Sequence, residues 1–467
     1  MPKQTSTRRK FIKNTALTGA AFTIVPRSVL GGPGYTAPSD KLNIAGIGVG
    51  GQGHGNLKNM ATENIVALAD VDWARAKDSF EMWPDAKRFK DYREMLSEVK
   101  DIDAVMIATP DHMHAAAGLA AMELDKHVYI EKPLAHNIAE VRALTEMAKA
   151  KPHLVTQMGN QGASGEGIRQ TQEIYEAGLL GDVHTVTAWT NRPIWPQGGK
   201  APQGKEPIPD TLDWSLWLGP APMRPHHTAY YPFAWRGYWD FGTGALGDMG
   251  CHIIDTPFYI LDLGYPIAAE ASVGQVYSQN WRPDYNPETC PPSSKIHIQF
   301  PARGEKPPVE LIWMDGGILP RRPDELKSDE PMGEWGGGII MEGTQGKLVA
   351  DVYGRNPRLL PTSLMESISV KKSLPRVEVG HHQDWIKGIK EGYQPSSHLG
   401  KAGPLTETVL MGNLAVRAYD YQFPHPEKKG ETYVPGRTKL LWDGENMKVT
   451  NVEAINYFVS RQDPRKY

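Results

Sequence analysis

The stretch Leu42-Asn43-Ile44-Ala45-Gly46-Ile47-Gly48-Val49-Gly50-Gly51-Gln52-Gly53 decides the fold. Its first half, Leu42 to Ile47, is an apolar run suited to a buried strand. Its second half is Gly48-x-Gly50-x-x-Gly53, placed between that strand and a helix spanning Asn56 to Glu63. The first glycine permits a tight turn, the second lets backbone approach a pyrophosphate, and the third lets helix and strand pack closely. The helix N-terminus then offers amide donors and a favourable dipole to the phosphates. A second apolar run, Ile65 to Ala69, ends at Asp70, 22 positions after Gly48. An acid there accepts from a ribose hydroxyl and repels a 2'-phosphate, so the cofactor expected is NAD, with NADP less favoured and Asp72 the alternative acid.

Outward from this unit the pattern repeats. Helical segments at Ala74 to Trp83, Tyr92 to Val99, Ala115 to Leu124 and Glu140 to Ala150 alternate with strand candidates at Ala104 to Ala108, His127 to Ile130 and Leu154 to Met158. Strands joined by helices of this length require right-handed crossovers and a doubly wound parallel sheet. Beyond residue 160 the texture changes. Alternating runs such as Ile296 to Phe300 and Val309 to Met314, and a hairpin over Gly338 to Asp351 turning at Gln345-Gly346, predict an antiparallel sheet with one solvated face. The chain reads as α/β throughout: residues 1–40 a leader and spacer, 41–158 a Rossmann domain, and 159–467 an α/β domain with an open, mostly antiparallel sheet.

Composition narrows the function. With 467 residues, 40% hydrophobic and 22% charged, the chain is an ordinary globular protein of two domains. A net charge of -3 gives no basic excess for nucleic acid. Two cysteines, Cys251 and Cys290, support neither a disulfide scaffold nor a cysteine metal site, and Cys251 reads as a buried filler. No metal is expected.

Two stretches carry the chemistry. Glu131-Lys132-Pro133 follows the fourth strand, at the carboxyl edge where doubly wound sheets bind ligands. Asp248, His252 and Asp255 are spaced i, i+4, i+7 and share a helical face. A carboxylate one turn before a histidine can fix its tautomer and raise its basicity. Oxidising an alcohol by hydride transfer needs a proton acceptor and a cation near the developing alkoxide. His252 and Lys132 can fill those roles in either order, and Lys132 beside a cationic nicotinamide is expected to have a lowered pKa. Six tryptophans between Trp189 and Trp239, interleaved with Arg192, Arg224, Arg236, His226 and His227, suit a ligand with an apolar face and a ring of hydroxyls. Within that segment Arg192, Trp195 and Arg236, together with His252, are the candidate substrate-binding residues. His381 and His382 are weaker candidates.

The chain after its first forty residues resembles the glucose–fructose oxidoreductase / inositol dehydrogenase / MocA family. The residues that carry the resemblance are Gly48, Gly50, Gly53, Asp70, Thr109-Pro110-Asp111-His112-Met113-His114, Glu131-Lys132-Pro133 and Asp248-x-x-x-His252. It implies a catalytic set of Lys132, Asp248 and His252. It also implies cofactor contacts from Thr109, Pro110, His114, Glu131, Lys132 and Asn160, with Gln157 and Gln161 nearby, and a homodimer or homotetramer built on the open sheet.

The first residues add a location. Arg8-Arg9 followed by Phe11, Ile12 and Lys13, then the mildly apolar run Ala16 to Val25, match a twin-arginine signal and are too short to span a bilayer. Export would be to the periplasm, or to the membrane surface if the signal stays attached. A folded protein can carry bound NAD through that route, and with no NAD pool outside it must retain and regenerate the cofactor. The expected activity is an exported, NAD-retaining oxidoreductase acting on a sugar, glycoside or polyol. A redox-assisted glycosidase and a non-catalytic dinucleotide or sugar sensor are the alternatives.

Overall fold

A computed structural model describes residues 40–467. The twin-arginine reading rests on residues outside that range.

The N-terminal domain runs β1 (Asn43–Ile47), α1 (Gln52–Asn59), β2 (Asn64–Ala69), α2 (Lys77–Met82), β3 (Lys87–Phe89), α3 (Tyr92–Glu98), β4 (Ala104–Ile107), α4 (Asp111–Glu123), β5 (His127–Ile130), α5 (Ile138–Ala150) and β6 (Thr156–Met158). The six strands form one parallel sheet in the order β3-β2-β1-β4-β5-β6, with Ala45 level with Val105 and Val105 level with Val128. Both faces are covered, which explains why β4 is buried at every position and reads as an unbroken apolar run. The sequence reading starts α1 four residues late. The chain enters the helix directly from Gly51, whose φ of 52° ends the turn. It also misses β3, three residues with two exposed side chains and hence no apolar signal.

The second domain continues with α6 (Glu166–Glu176), β7 (Val183–Thr190), α7 (Trp214–Leu218), α8 (Gly244–Ile253), α9 (Asp255–Ile260), β8 (Ala268–Val273), β9 (Ser294–Phe300), β10 (Val309–Met314), β11 (Gly337–Gly343), β12 (Lys347–Asp351), β13 (Arg358–Leu360), α10 (Leu364–Ser367), α11 (His381–Glu391), α12 (Leu399–Ala418), β14 (Phe423–Pro424), β15 (Thr432–Tyr433), β16 (Leu440–Asp443) and β17 (Lys448–Val449). A nine-stranded sheet has the order β13-β12-β11-β7-β10-β9-β8-β16-β17, antiparallel except where β7 runs parallel to β10. On β9, Ile296, Ile298 and Phe300 point into the core while the residues between them are half-buried, the expected period of two. Helix α12 packs on β8 and β9, and also on α5 and α8, so it joins the two domains.

One feature crosses the expected domain boundary. Trp385 and Ile386 of α11 are buried in one cluster with Ile44, Leu57, Leu68 and Tyr129, so a helix from far down the chain completes one face of the Rossmann layer. The predicted single helix through Asp255 is two: α8 stops at Ile253, because Pro257 has no N–H to continue the ladder, and Asp255 opens α9.

Five of the six tryptophans divide among several clusters. Trp214 and Trp217 stack at 4.6 Å and pack with Tyr230, Trp235, Tyr238 and Phe241 into a small core of their own. Trp189 and Trp239 are buried in two other clusters. Most of the aromatic density builds a module, since an aromatic ring buries its area wherever neighbours cover it, and Trp217 and Trp235 of that module also line the cavity described below.

Candidate active site

A cavity of about 530 Å³ runs along the carboxyl edge of the parallel sheet and into the second domain. Gly48 and Gly50, Asp70, Thr109, Pro110, Glu131, Lys132, Arg192, Arg236, Asp248 and His252 all line it. Gly53, His114, Asn160 and Trp195 do not.

At one end lies the glycine turn. Gly48 has φ 73°, and a Cβ there would lie 2.8 Å from the Ala108 carbonyl oxygen. A Cβ on Gly50 would meet Arg75 at 2.7 Å, and one on Gly53 would lie 1.9 Å from the Gly48 oxygen. The first two glycines therefore keep the cradle open, and Gly53 seats α1 against it from behind. The Asp70 carboxylate accepts from the backbone N–H groups of Val49 at 2.9 Å, Gly50 at 3.2 Å and Asp72 at 2.9 Å. Burial pushes its pKa up to about 6, against those hydrogen bonds. The acid thus holds the turn closed from the ribose end while still facing the cavity. Asp72 is buried and accepts from the Tyr231 hydroxyl, tying the tryptophan module to the ribose end. An open cradle beside an acid, with the unpartnered hydroxyl of Thr109 further along, fits a dinucleotide and argues against a 2'-phosphate.

At the other end the charges gather. The Lys132 ammonium donates to the Asp248 carboxylate at 2.8 Å and to the Asp248 carbonyl at 2.7 Å. Arg236 Nε donates to the same Oδ1 at 3.2 Å, and Arg192 Nε stands 3.8 Å from Oδ2. One carboxylate on α8 therefore faces three cations that reach it from a Rossmann loop, the end of β7 and the tryptophan module. Desolvation would raise the Asp248 pKa, but Lys132 and Arg236 hold it far below the carboxylate range.

One expectation is corrected here. Asp248 does not orient His252; it is occupied by Lys132 and Arg236, and His252 Nδ1 has no hydrogen-bond partner. Burial, with Lys132 next, pushes the His252 pKa well below that of free imidazole, so the ring is neutral and edge-on to Tyr353 at 4.7 Å. In the protein alone the Lys132 pKa is raised. Burial pulls it down, but the Asp248 charge outweighs that.

The residues around the cavity brace it. The His114 ring nitrogens lie 2.7 Å from the Pro133 carbonyl oxygen and 2.8 Å from that of Thr109, linking the two loops that end β4 and β5. His112 sits between the Phe241 and Trp217 carbonyls. The Asn160 side-chain oxygen accepts from the Ser397 hydroxyl. Trp195 Nε1 donates to Gln197 at 2.9 Å. Glu131 accepts from Asn56 at 2.9 Å and so locks the Lys132 loop to α1. His381 is held between Ser164 and the Met158 carbonyl, a joint between domains and not a site. Cys251 is fully buried, and burial pushes its thiol up to about 12. Sequence reasoning missed Arg75, Tyr231, Phe233 and Tyr353, all of which line the cavity. Arg75 has no motif around it, and Tyr231 and Phe233 lie among tryptophans that dominate the local composition.

Comparison with known proteins agrees with the architecture. Residues 41–158 match the family model described as an oxidoreductase family, NAD-binding Rossmann fold, and residues 165–279 match that family's C-terminal alpha/beta domain. An inositol 2-dehydrogenase of Salmonella typhimurium is 29% identical over 146 residues, 30% of this chain and 43% of that protein. A levoglucosan dehydrogenase of Pseudarthrobacter phenanthrenivorans is 28% identical over 172 residues, 37% of this chain and 36% of that one. The chain thus spans less than half the length of these curated relatives. Among solved structures, a levoglucosan dehydrogenase in complex with NADH and L-sorbose covers 80% of this chain and 97% of its own at TM-score 0.54, with 18% identity, a likeness of fold.

Proposed function

Because the chain belongs to the oxidoreductase family named for glucose–fructose oxidoreductase, inositol dehydrogenase and MocA, we propose that it moves a hydride between NAD and a hydroxyl-bearing carbon of a sugar, glycoside or polyol. One observation carries this reading: the glycine cradle with its acid and the Lys132–Asp248–His252 group line the same cavity. Bound in the cradle, NAD supplies the hydride acceptor. His252, neutral and buried, takes the hydroxyl proton. The Lys132 ammonium, kept charged by Asp248, stabilises the oxygen as negative charge develops on it. Arg192 and Arg236 offer further donors to neighbouring hydroxyls. The pKa directions put Lys132 in its charged form and His252 in its unprotonated form at neutral pH, the forms from which these roles start.

Export by the twin-arginine route, a periplasmic location, retention of one cofactor through the cycle and homo-oligomer formation belong to the same proposal. Arg8-Arg9 with its flanking residues supports export. Retention is supported by chain crossing beside the ribose end: Asp213 N–H donates to the Val71 carbonyl at 2.9 Å and Trp73 N–H to that of Thr211 at 3.2 Å. The test is to denature the purified protein, weigh the nucleotide released, and present a carbohydrate panel to the intact protein while following nicotinamide absorbance. NAD and a carbonyl product are expected, the product and the absorbance change being lost in Lys132→Met and His252→Asn. Full turnover in those variants, or a protein that neither carries nor binds NAD, overturns the reading.

A further inference from the structure

A second cavity, of about 120 Å³, lies away from the active site, where the N-terminus of α5 meets the last turns of α12, the segment 239–243 and the segment 457–462. Its walls include Arg417, Arg461, His136, Asn137 and Asp240. Arg417 stands out. Its guanidinium carbon is 4.3 Å from the Phe458 ring and 5.6 Å from that of Trp239, its Nε is buried and unpartnered, and among the described residues it forms no ion pair. The other charges facing the cavity are matched. Glu140 lies 3.4 Å from Arg461, and Asp240 is held at 2.5 Å by Arg224, which also binds Glu288. His136 is neutral; its Nδ1 lies 3.3 Å from Arg461 Nη2, and its Nε2 has no partner. Asn137, 7% exposed, caps α5 with its side-chain oxygen accepting from Glu140 N–H at 3.0 Å, which leaves its amide nitrogen without a partner.

A guanidinium nitrogen buried without an acceptor is costly, and so is a buried amide donor without one. Here both occur in the walls of one cavity at a helix N-terminus, where the helix dipole favours negative charge. Every unmatched group is a donor, and Asp240, the carboxylate that attracts Arg417, is already held by Arg224. We propose that this cavity binds a small oxyanion, of phosphate or carboxylate size, held by Arg417 and Asn137. Its place gives it a consequence. Asn413 of α12 donates to the Thr243 carbonyl at 2.8 Å, and the Thr243 hydroxyl donates to Asp111 at 2.6 Å, immediately before α8 begins. An anion bridging α5 and α12 therefore fastens the joint that carries Asp248 and His252.

The test uses the full chain saturated with NAD, so that the pyrophosphate cradle is occupied and cannot report phosphate. Chloride is replaced by inorganic phosphate, sulfate or acetate at constant ionic strength, and thermal unfolding is followed. A saturable rise in Tm of about 2 °C or more with phosphate or acetate is expected, absent with chloride. Arg417→Gln should abolish the rise while unfolding no earlier than the parent in chloride. If that variant does not fold, equilibrium dialysis of the NAD-saturated parent against labelled phosphate decides, with about one phosphate retained per chain expected. Equal stabilisation by chloride, a rise that survives in Arg417→Gln, or no phosphate retained on dialysis overturns the proposal. The Arg417→Gln comparison is independent of the dehydrogenase reading, because that substitution leaves the glycine cradle and the Lys132–Asp248–His252 group untouched.

Discussion

Replacing Asp248 by asparagine keeps the shape of the side chain and removes the charge at the centre of the site. Its carboxylate lies 2.8 Å from Lys132 and 3.2 Å from Arg236, with Arg192 at 3.8 Å, and the side chains involved are between 11% and 22% exposed. At an effective dielectric of about 20, unit charges 2.8 Å apart attract by about 6 kcal/mol. Much of that offsets desolvation, but breaking such a pair from one side leaves uncompensated charge and costs about 3–5 kcal/mol. Three cations are stranded here, so the upper part of that range is expected, measured by chemical denaturation at pH 7. The pH dependence has a definite sign. A carboxylate with a depressed folded-state pKa adds stability above its unfolded value, about 3.9, and loses it as pH falls through the folded one. The gap between parent and variant should therefore be full at pH 7 and narrow below about pH 4. Turnover should fall by about a hundredfold or more, because Lys132 loses the group that positions it and keeps it charged. A loss of under about 1 kcal/mol at pH 7, or a gap that does not change with pH, would refute the reasoning.

Three further outcomes follow from the geometry. Gly53→Ala puts a Cβ 1.9 Å from the Gly48 oxygen, whereas Gly55→Ala, two residues along the same helix, meets nothing within 4 Å. The first should cost about 1–3 kcal/mol and weaken NAD binding; the second should stabilise by about 0.5–1 kcal/mol, both read by thermal unfolding and calorimetric titration. Trp385→Ala should cost about 3–5 kcal/mol in denaturant unfolding, because this fully buried ring from α11 fills the Rossmann core. NAD affinity, measured by titration, should fall as pH drops through about 6, where Asp70 takes up a proton, and that dependence should vanish in Asp70→Asn.

What could be read from the sequence, and what could not, follows from the range of each interaction. The glycine turn and Asp70 were legible because one ligand, a dinucleotide, sets their spacing within thirty residues. The pairing of Asp248 was not. Helical spacing puts it over His252, but its partner Lys132 lies 116 positions away on another domain, and a stronger long-range ion pair won over a local contact. His114 carried a family pattern, yet both ring nitrogens are taken by loop carbonyls, which no local signal announces. Tryptophan density was real, but composition does not tell a ligand wall from a small core. Trp385 was invisible as a Rossmann residue because it comes more than two hundred residues after that sheet ends.

The central claim is that a hydride passes directly between a substrate carbon and the nicotinamide within this cavity. The most direct measurement supplies the NAD-loaded protein with aldoses and polyols deuterated at their carbinol carbons and weighs the nucleotide released after one turnover. The account predicts one deuterium per reduced nucleotide, with none in Lys132→Met. Reduced nucleotide without deuterium, or deuterium found only in water, would contradict it.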